Sequence, residues 1–209
     1  MTNLQKRILT SIIILPLSIF FIVKGGYLLI FFLTFILFAG LHELLSVFKK
    51  IKSVIFLSLI LILSLFSIYY LSENSEYLLY YAIAVTISSD IGGYIFGNIF
   101  KWKKLTKISP NKTYSGVFGS YIFSIICLFT WVNLLSSTLQ LTLKTFLITL
   151  IFSTVAQVGD LIISYLKRLE KIKDTGKVLP GHGGIFDRID GLMFVVILAY
   201  ILYSLKLFP

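Results

Sequence analysis

The sequence predicts an all-α fold, a polytopic membrane helix bundle of about seven spanning helices with the N-terminus inside and the C-terminus outside. The first observation is composition: 57% of the 209 residues are hydrophobic and 13% are charged, whereas a soluble domain carries about 25% charged residues. The second is that apolar stretches of roughly 20 residues, the length that crosses a bilayer, follow one another closely. The third is a one-sided distribution of Lys and Arg.

Seven apolar stretches are candidates for spanning helices. In chain order they cover residues 8–23, 27–48, 54–72, 77–99, 115–136, 142–166 and 191–208. We expect the first to be a retained helix, because no small-residue cleavage site follows it. No linker or repeat interrupts the series, so residues 1–209 are predicted to form one membrane domain, with N-terminal helices over 1–76 and a motif-bearing core over 77–209.

Lys and Arg indicate the orientation, because they collect in cytoplasmic segments. With the N-terminus inside, the inside segments hold 16 of the 19 Lys and Arg residues, and only Lys24, Lys144 and Lys206 lie outside. The reverse orientation would invert this bias. The net charge of +10 is therefore explained by a bilayer as partner, and no nucleic acid is expected.

Acidic side chains within the apolar stretches are candidate functional residues, because a charge at the bilayer centre costs roughly 2.5–3.5 kcal/mol. Asp90 lies in the fourth stretch and is expected to bind a nucleotide, a lysine or a metal ion. Three glycines follow it, where a second backbone can approach closely. His42 and Glu43, near the end of the second stretch, are expected at the membrane interface, with substrate contact as the weaker alternative.

A lysine-rich loop, residues 101–116, follows the fourth stretch and contains five lysines and no acid. Its SPNKT sequence at 109–113 is turn chemistry, and the N–H groups of a turn that leads into a helix can bind an anion. The earlier lysines are typical of a lipid-facing patch that determines topology, so only Lys112 is assigned to phosphate.

Further carboxylates lie at the end of the sixth stretch and the start of the last. Asp160, Ser164 and Lys167 are spaced i, i+4, i+7, which places them on one helix face. Asp187 and Asp190 begin the last helix. Carboxylates from separate helices are thus expected near one cytoplasmic boundary. As alternatives, Asp160 could pair with a lysine, and Asp187 and Asp190 could cap the start of the last helix.

These residue types suit phosphoryl or nucleotidyl transfer. Mg²⁺ takes oxygen ligands, usually from one or two carboxylates plus phosphate and water, and cations neutralise the charge at the phosphates. The expected metal ligands are Asp160, Asp187 and Asp190, with Asp90 as a further candidate. The expected phosphate-binding cations are Lys112, Lys167, Arg168 and Arg188.

Residues 164–190, SYLKRLEKIKDTGKVLPGHGGIFDRID, are the longest charged segment of the chain and are called the signature segment below. Through its 27 consecutive residues it resembles the signature of the phosphatidate cytidylyltransferases (CDP-diacylglycerol synthases). The sequences DIGGY at 90–94 and SPNKT at 109–113 are similar to the same family. The resemblance covers about the last 120 residues.

The resemblance implies transfer of a cytidylyl group from CTP to phosphatidic acid, which gives CDP-diacylglycerol and pyrophosphate. It implies Mg²⁺, alone or with a second metal or a monovalent cation, and a homodimer in a bacterial-type inner membrane with its active site facing the cytoplasm. The family's metal ligands fall on Asp160 and Asp187. The predicted catalytic residues are Asp160, Asp187, Lys167 and Arg188. The predicted substrate-binding residues are Lys112, Ser164, Arg168, Lys173, His182, Gly183, Gly184 and Asp90.

Two positions depart from the family pattern: Ser115 stands where many members have Glu, and Gly191 where many have Ser. His182 is interpreted as a turn residue that also hydrogen-bonds substrate, with a general base or a phosphate donor as alternatives. A transporter with Asp90 and Asp160 along a polar path is the alternative from another class. It is disfavoured because no inverted repeat is found and the charge lies on one side.

Overall fold

The computed structural model describes Ile14 and residues 16–106, 108–135, 139–176 and 183–208. In this part of the chain every regular element is a helix, which confirms the predicted fold class. The helices are α1 (residues 16–24), α2 (Gly26–Val47), α3 (Ile51–Asn74), α4 (Glu76–Phe100), α5 (Tyr114–Thr130), α6 (Leu143–Leu169) and α7 (Phe186–Ser204). A π-helical turn, Trp131–Leu135, continues directly from α5.

Five helices are long and apolar enough to cross a bilayer. They are Gly26–Val47, Ile51–Asn74, Glu76–Phe100, Tyr114–Leu135 and Leu143–Leu169. They match the second to sixth predicted stretches with ends that differ by at most three residues, so the chain is a polytopic membrane protein. Residues 8–13 and residue 15 of the first predicted stretch lie outside the described residues, and the orientation stays a prediction.

The last helix begins earlier than the predicted stretch at 191–208, because α7 starts at Phe186. Its first turn includes Asp187, and Arg188 and Asp190 follow within the same charged start. The apolar part of α7 corresponds to the predicted last stretch. Asp187 and Asp190 therefore sit on a helix, directly before its apolar part.

Apolar side chains on the outside of α2 show how these helices meet lipid. Phe31, Phe35 and Phe38 are 67%, 60% and 68% exposed, and their spacing of i, i+4 and i+7 places them on one face. Such a stripe would be an aggregation hazard in water. In a bilayer it is an ordinary lipid-facing surface.

The chain divides into two compact units. The first contains Met1–Glu76 and Leu166–Asp190, and the second contains Tyr77–Tyr165 and Gly191–Pro209. The first thus combines α1 to α3 with most of the signature segment. The prediction of a single domain over 1–209 stays a prediction.

In the first unit, α2 packs against α3 through leucines. The buried leucines of the two helices are Leu29, Leu33, Leu44, Leu57, Leu61, Leu65 and Leu71. Gly40 of α2 lies so close that a Cβ there would be 2.9 Å from Leu61 Cδ2 and 3.3 Å from Phe186. The start of α7 is therefore packed onto this helix pair.

In the second unit, glycines bring α4 and α5 into backbone contact. A Cβ on Gly92 would overlap the carbonyl oxygen of Gly119, which confirms the predicted close approach after Asp90. Serine hydroxyls add polar contacts in the same unit: Ser120 Oγ donates to the Ser89 carbonyl at 2.8 Å, and Ser89 and Ser153 hydroxyls lie 2.9 Å apart. Small residues and hydroxyls are the usual means of packing helices within membranes.

Gly191, one of the two departures from the family pattern, lies at a close helix contact. A Cβ at this position would be 2.9 Å from the Ala156 carbonyl oxygen of α6. A larger side chain would therefore have to displace backbone. In this chain the glycine allows α7 to lie directly against α6.

Candidate active site

Asp187 lies near the end of the signature segment, in the first turn of α7. Its Oδ1 accepts a hydrogen bond from Lys167 Nζ at 2.7 Å. Its Oδ2 accepts from the backbone N–H groups of Thr175 at 2.9 Å and Gly184 at 3.1 Å. The two side chains are buried, with 11% of Lys167 and 8% of Asp187 exposed. Both oxygens of the carboxylate are thus held by donors from three parts of the segment.

The donors decide the charge state of Asp187. Burial alone would raise the pKa of its carboxyl, but the hydrogen bonds from Lys167, Thr175 and Gly184 outweigh burial and lower the pKa below its ordinary value. The carboxylate is therefore ionised at neutral pH. These contacts are not those of a helix cap, because the backbone N–H groups that donate to Asp187 belong to residues before α7.

The two described glycines of the predicted substrate-binding turn lie against carboxylates. Gly183 has a φ of +85°, and a Cβ there would be 2.8 Å from Asp187 Oδ2. A Cβ at Gly184 would overlap Glu43 Oε1. Glycine at these positions lets the backbone approach the two acids. His182, predicted beside them, lies outside the described residues.

The other cations of the signature segment have varied surroundings. Arg168 Nη1 donates to the Ile172 carbonyl at 2.8 Å, and Arg188 is exposed on the first turns of α7, while Asp190 is half-buried. Lys173 lines a cavity of about 680 Å³. Its described lining residues are His42, Glu43, Ser46, Val47, Ile172, Lys173, Asp174 and Gly176. The cavity lies within the first unit, between the end of α2 and the signature segment.

Lys112 and Asp160 form a second lysine–carboxylate pair, in the second unit. Lys112 Nζ lies 2.5 Å from Asp160 Oδ2 and donates to the Gln157 carbonyl at 3.4 Å. Ser164 Oγ donates to Asp160 Oδ1 at 3.3 Å. Asp160 thus pairs with a lysine of the loop before α5, and the predicted alignment of Asp160 and Ser164 on one face of α6 is confirmed.

Local turn chemistry presents Lys112. Its backbone N–H donates to the Ser109 carbonyl at 3.1 Å, and its carbonyl accepts from Leu105 at 2.8 Å. Thr113 then caps α5, since its Oγ1 accepts from the Gly116 N–H at 3.1 Å. The buried Ser115 hydroxyl lies 2.9 Å from Thr113 Oγ1, so it belongs to the helix start.

Asp90 belongs to the same neighbourhood in the second unit. It lies on α4, is exposed, and the charged groups that act on its carboxyl are Asp160 and Lys112. The structure therefore brings together Asp90, Lys112, Asp160 and Ser164, all of which the sequence singles out. Within the first unit it brings together Lys167, Asp187, Gly183 and Gly184.

Glu43 has contacts that the sequence analysis does not predict. It lies near the end of α2, and only 1% of it is exposed. Its carboxylate accepts from the Ile185 N–H at 2.7 Å and from the Thr175 hydroxyl. An acid inside an apolar helix is itself a signal of function, and that signal was applied to Asp90 but not here.

Carboxylate oxygens are the ligands that a hard cation prefers. Asp187 in the first unit and Asp160 in the second each carry such oxygens, and 33% of the Asp160 side chain is exposed. In the described part of the chain, no three His, Cys, Asp or Glu residues form a group that could hold a metal ion. Mg²⁺ is ordinarily bound by one or two carboxylates, with substrate phosphates and water as the other ligands.

Comparison with known proteins shows which family the chain is similar to. A model of the cytidylyltransferase family matches residues 48–206. Proteins called phosphatidate cytidylyltransferase are similar to this chain. The one from Staphylococcus haemolyticus is 43% identical over 132 residues, which are 63% of this chain and 50% of the relative. The one from Bacillus subtilis is 41% identical over 128 residues, 61% of this chain and 47% of the relative. The chain spans about half the length of the curated relatives it matches.

Proposed function

The chain belongs to the cytidylyltransferase family, and from that premise we propose that it transfers the cytidylyl group of CTP to phosphatidic acid. One observation carries the proposal: the signature segment holds an ionised carboxylate, Asp187, against the ammonium of Lys167 at 2.7 Å. These are the two kinds of group that nucleotidyl transfer needs, a metal ligand and a phosphate-binding cation. The names of the relatives from Staphylococcus haemolyticus and Bacillus subtilis support the choice of substrates.

The proposed reaction is a single in-line displacement. A phosphate oxygen of phosphatidic acid attacks the α-phosphorus of CTP, and a new P–O bond forms. The bond from the α-phosphorus to the oxygen that bridges to the β-phosphorus breaks, and its electrons leave with pyrophosphate. No general base is required, because the attacking oxygen is already ionised at neutral pH.

The cations have the task of binding phosphate and orienting it. Lys112 and Lys167 each hold a carboxylate, and the same ammonium groups form charge-assisted hydrogen bonds with phosphate oxygens. Arg168 and Arg188 supply guanidinium groups that bind phosphate with two donors at once. We assign Lys112 to the phosphates of CTP. We place the headgroup of phosphatidic acid at the depth of Lys167.

Asp160 and Asp187, with Asp190, are the residues that would hold Mg²⁺. When bound, the cation would neutralise charge on the phosphates and help to align them. The two carboxylates are suited to it as hard oxygen donors.

We further propose a bacterial-type inner membrane as the location, with the site facing the cytoplasm where CTP is found. The excess of Lys and Arg on the predicted inner side supports this orientation. Phosphatidic acid would enter sideways from the bilayer. A homodimer is proposed on the family resemblance alone.

The test is turnover in detergent micelles with CTP labelled either at the α- or the γ-phosphate. The α-label should pass into the lipid fraction and the γ-label into pyrophosphate, and both transfers should require phosphatidic acid and Mg²⁺. Diacylglycerol, which lacks the attacking phosphate, is the matched control substrate and should give no product. Lipid-independent hydrolysis of CTP, or transport without turnover, would contradict the proposal.

A further inference from the structure

Glu43 is an acid of α2 that lies outside the signature segment and yet contacts it on several sides. It lies in a mostly apolar helix, and only 1% of it is exposed. A buried carboxylate needs hydrogen-bond donors to offset its lost hydration. All its described donors come from the signature segment.

These donors lie on two limbs of the signature segment, residues 164–176 and residues 183–190. Before residues 177–182, the Thr175 hydroxyl donates to Glu43 Oε1. After them, the Ile185 N–H donates to Oε2 at 2.7 Å and the Phe186 N–H donates to Oε1 at 3.4 Å. The last two are the free N–H groups at the start of α7, where a negative charge is also favoured by the helix dipole. One side chain thus joins the two limbs to each other and to α2.

The backbone of the segment is shaped to admit this carboxylate. A Cβ at Gly184 would overlap Glu43 Oε1, and a Cβ at Gly176 would be 3.0 Å from Glu43 Cγ. The two glycines therefore face Glu43 from the two limbs. Their lack of a side chain is what lets the limbs close around the acid.

The atoms that Glu43 holds are directly connected to those that hold Asp187. The Thr175 N–H and the Gly184 N–H both donate to Asp187 Oδ2. Glu43 binds the hydroxyl of the same threonine and the N–H of Ile185, the residue after Gly184. The position of the Asp187 carboxylate therefore depends on Glu43 through one residue on each limb.

We propose that Glu43 is a positioning residue for the cytidylyl transfer reaction: it fixes the two limbs of the signature segment so that Asp187 is held ready for metal and phosphate. This rests on the proposed function. Residues that orient a metal ligand through hydrogen bonds typically contribute about 10- to 100-fold to activity. Glu43 acts through Thr175 and Ile185 and does not itself touch substrate.

The experiment compares Glu43→Gln with Glu170→Gln. Glu170 is a matched control, because its carboxylate also accepts backbone N–H groups in the first unit, those of Lys49 and Lys50 at 3.2 and 3.1 Å. Glu43→Gln should lower kcat by about 10- to 100-fold while the KM for phosphatidic acid stays near that of the wild type. Glu170→Gln should leave both constants near wild type.

Hydrogen exchange gives a readout that does not depend on turnover. In Glu43→Gln, backbone N–H groups of 170–176 and 183–190 should exchange faster, while those of α3 keep their wild-type rates. If wild-type protein lacks lipid-dependent turnover, the proposed function fails, and this exchange measurement still tests the positioning role. Unchanged kcat and exchange in Glu43→Gln, or an equal loss in Glu170→Gln, would overturn it.

A double-mutant cycle with Thr175→Val separates positioning from a general loss of stability. Thr175→Val removes a single donor to Glu43, so it should fold even where Glu43→Gln does not, and should show a smaller loss of kcat. The two changes act on one linkage, so the double variant should be no slower than Glu43→Gln alone. Additive losses would contradict the proposal.

Discussion

The two lysine–carboxylate pairs of this protein are alike in chemistry and different in surroundings. Lys167–Asp187 and Lys112–Asp160 have nitrogen–oxygen distances of 2.7 and 2.5 Å. In the first pair the side chains are 11% and 8% exposed, and in the second they are 23% and 33% exposed. Distance alone would rank them as equals, and burial separates them.

The remaining partners widen the difference. Asp187 Oδ2 is held by two backbone N–H groups, whereas Asp160 Oδ1 receives a single long contact of 3.3 Å from Ser164. Breaking a buried pair leaves an uncompensated charge, while a partly exposed pair recovers much of its interaction from water. The buried pair therefore contributes to the stability of the fold, and we expect the lysine of the open pair to be able to exchange its carboxylate for a phosphate.

The largest effect is expected from Asp187→Asn. An amide carries no charge, so it cannot neutralise Lys167. Its NH₂ group is a donor and cannot accept hydrogen bonds from the N–H groups of Thr175 and Gly184. We expect the free energy of unfolding to fall by about 3–5 kcal/mol, the cost of removing one partner of a buried pair. Lipid-dependent turnover should fall by more than about 100-fold, which is a larger loss than that caused by removing a residue that only orients a metal ligand. Thermal unfolding in detergent and pyrophosphate release measure the two effects.

Asp174→Asn is the control for that change, because Asp174 is an exposed acid of the same segment. It should leave the unfolding transition where it is in the wild type. A variant Asp187→Asn with wild-type stability would show that the burial of the pair has no energetic consequence. The comparison between the two pairs would then lose its basis.

Asp160→Asn should separate activity from stability. The open pair is worth less than about 1 kcal/mol to the folded state, so the unfolding transition should barely move. As a proposed metal ligand, however, Asp160 should matter for turnover, and the Mg²⁺ concentration for half-maximal activity should rise by at least about 10-fold. A titration with Mg²⁺ at saturating CTP measures this. A variant that is unstable but keeps the Mg²⁺ dependence of the wild type would reverse the assignment.

Hydropathy was enough to predict the helices, because the bilayer demands long apolar segments whatever they pack against. That is why five predicted spans agree with the structure within three residues. The start of α7 agrees with the prediction that Asp187 and Asp190 begin the last helix. Its first N–H groups are satisfied by Glu43, an acid more than 140 residues earlier, and no local pattern could show this contact.

The candidate site was predictable in its residue types and not in its pairings. The spacing of Asp160 and Ser164 at i, i+4 fixed a contact within one helix turn, and the structure has it. The lysine partners of Asp160 and Asp187 are set by loop conformation, through the turn that presents Lys112 and the limbs that enclose Asp187. Those contacts depend on tertiary structure, so periodicity carries no signal for them.

The smallest effect is expected from Lys112→Met, which removes the cation of the open pair and keeps most of its apolar length. Stability should change by less than about 1 kcal/mol, because the pair is partly exposed. The KM for CTP should rise by about 10-fold or more, which corresponds to the loss of one hydrogen bond to a charged group.

Lys104→Met is the matched control for that prediction, since Lys104 is an exposed lysine of the same loop and is assigned to topology. Removing either lysine lowers the charge of the loop by the same amount. If both variants raised the KM for CTP equally, the loop would attract nucleotide through its overall charge. A rise confined to Lys112→Met requires a specific contact, because only this lysine is held by the turn at Ser109 and lies against Asp160. The open pair would then be a site where one ammonium group serves a carboxylate and a phosphate in turn.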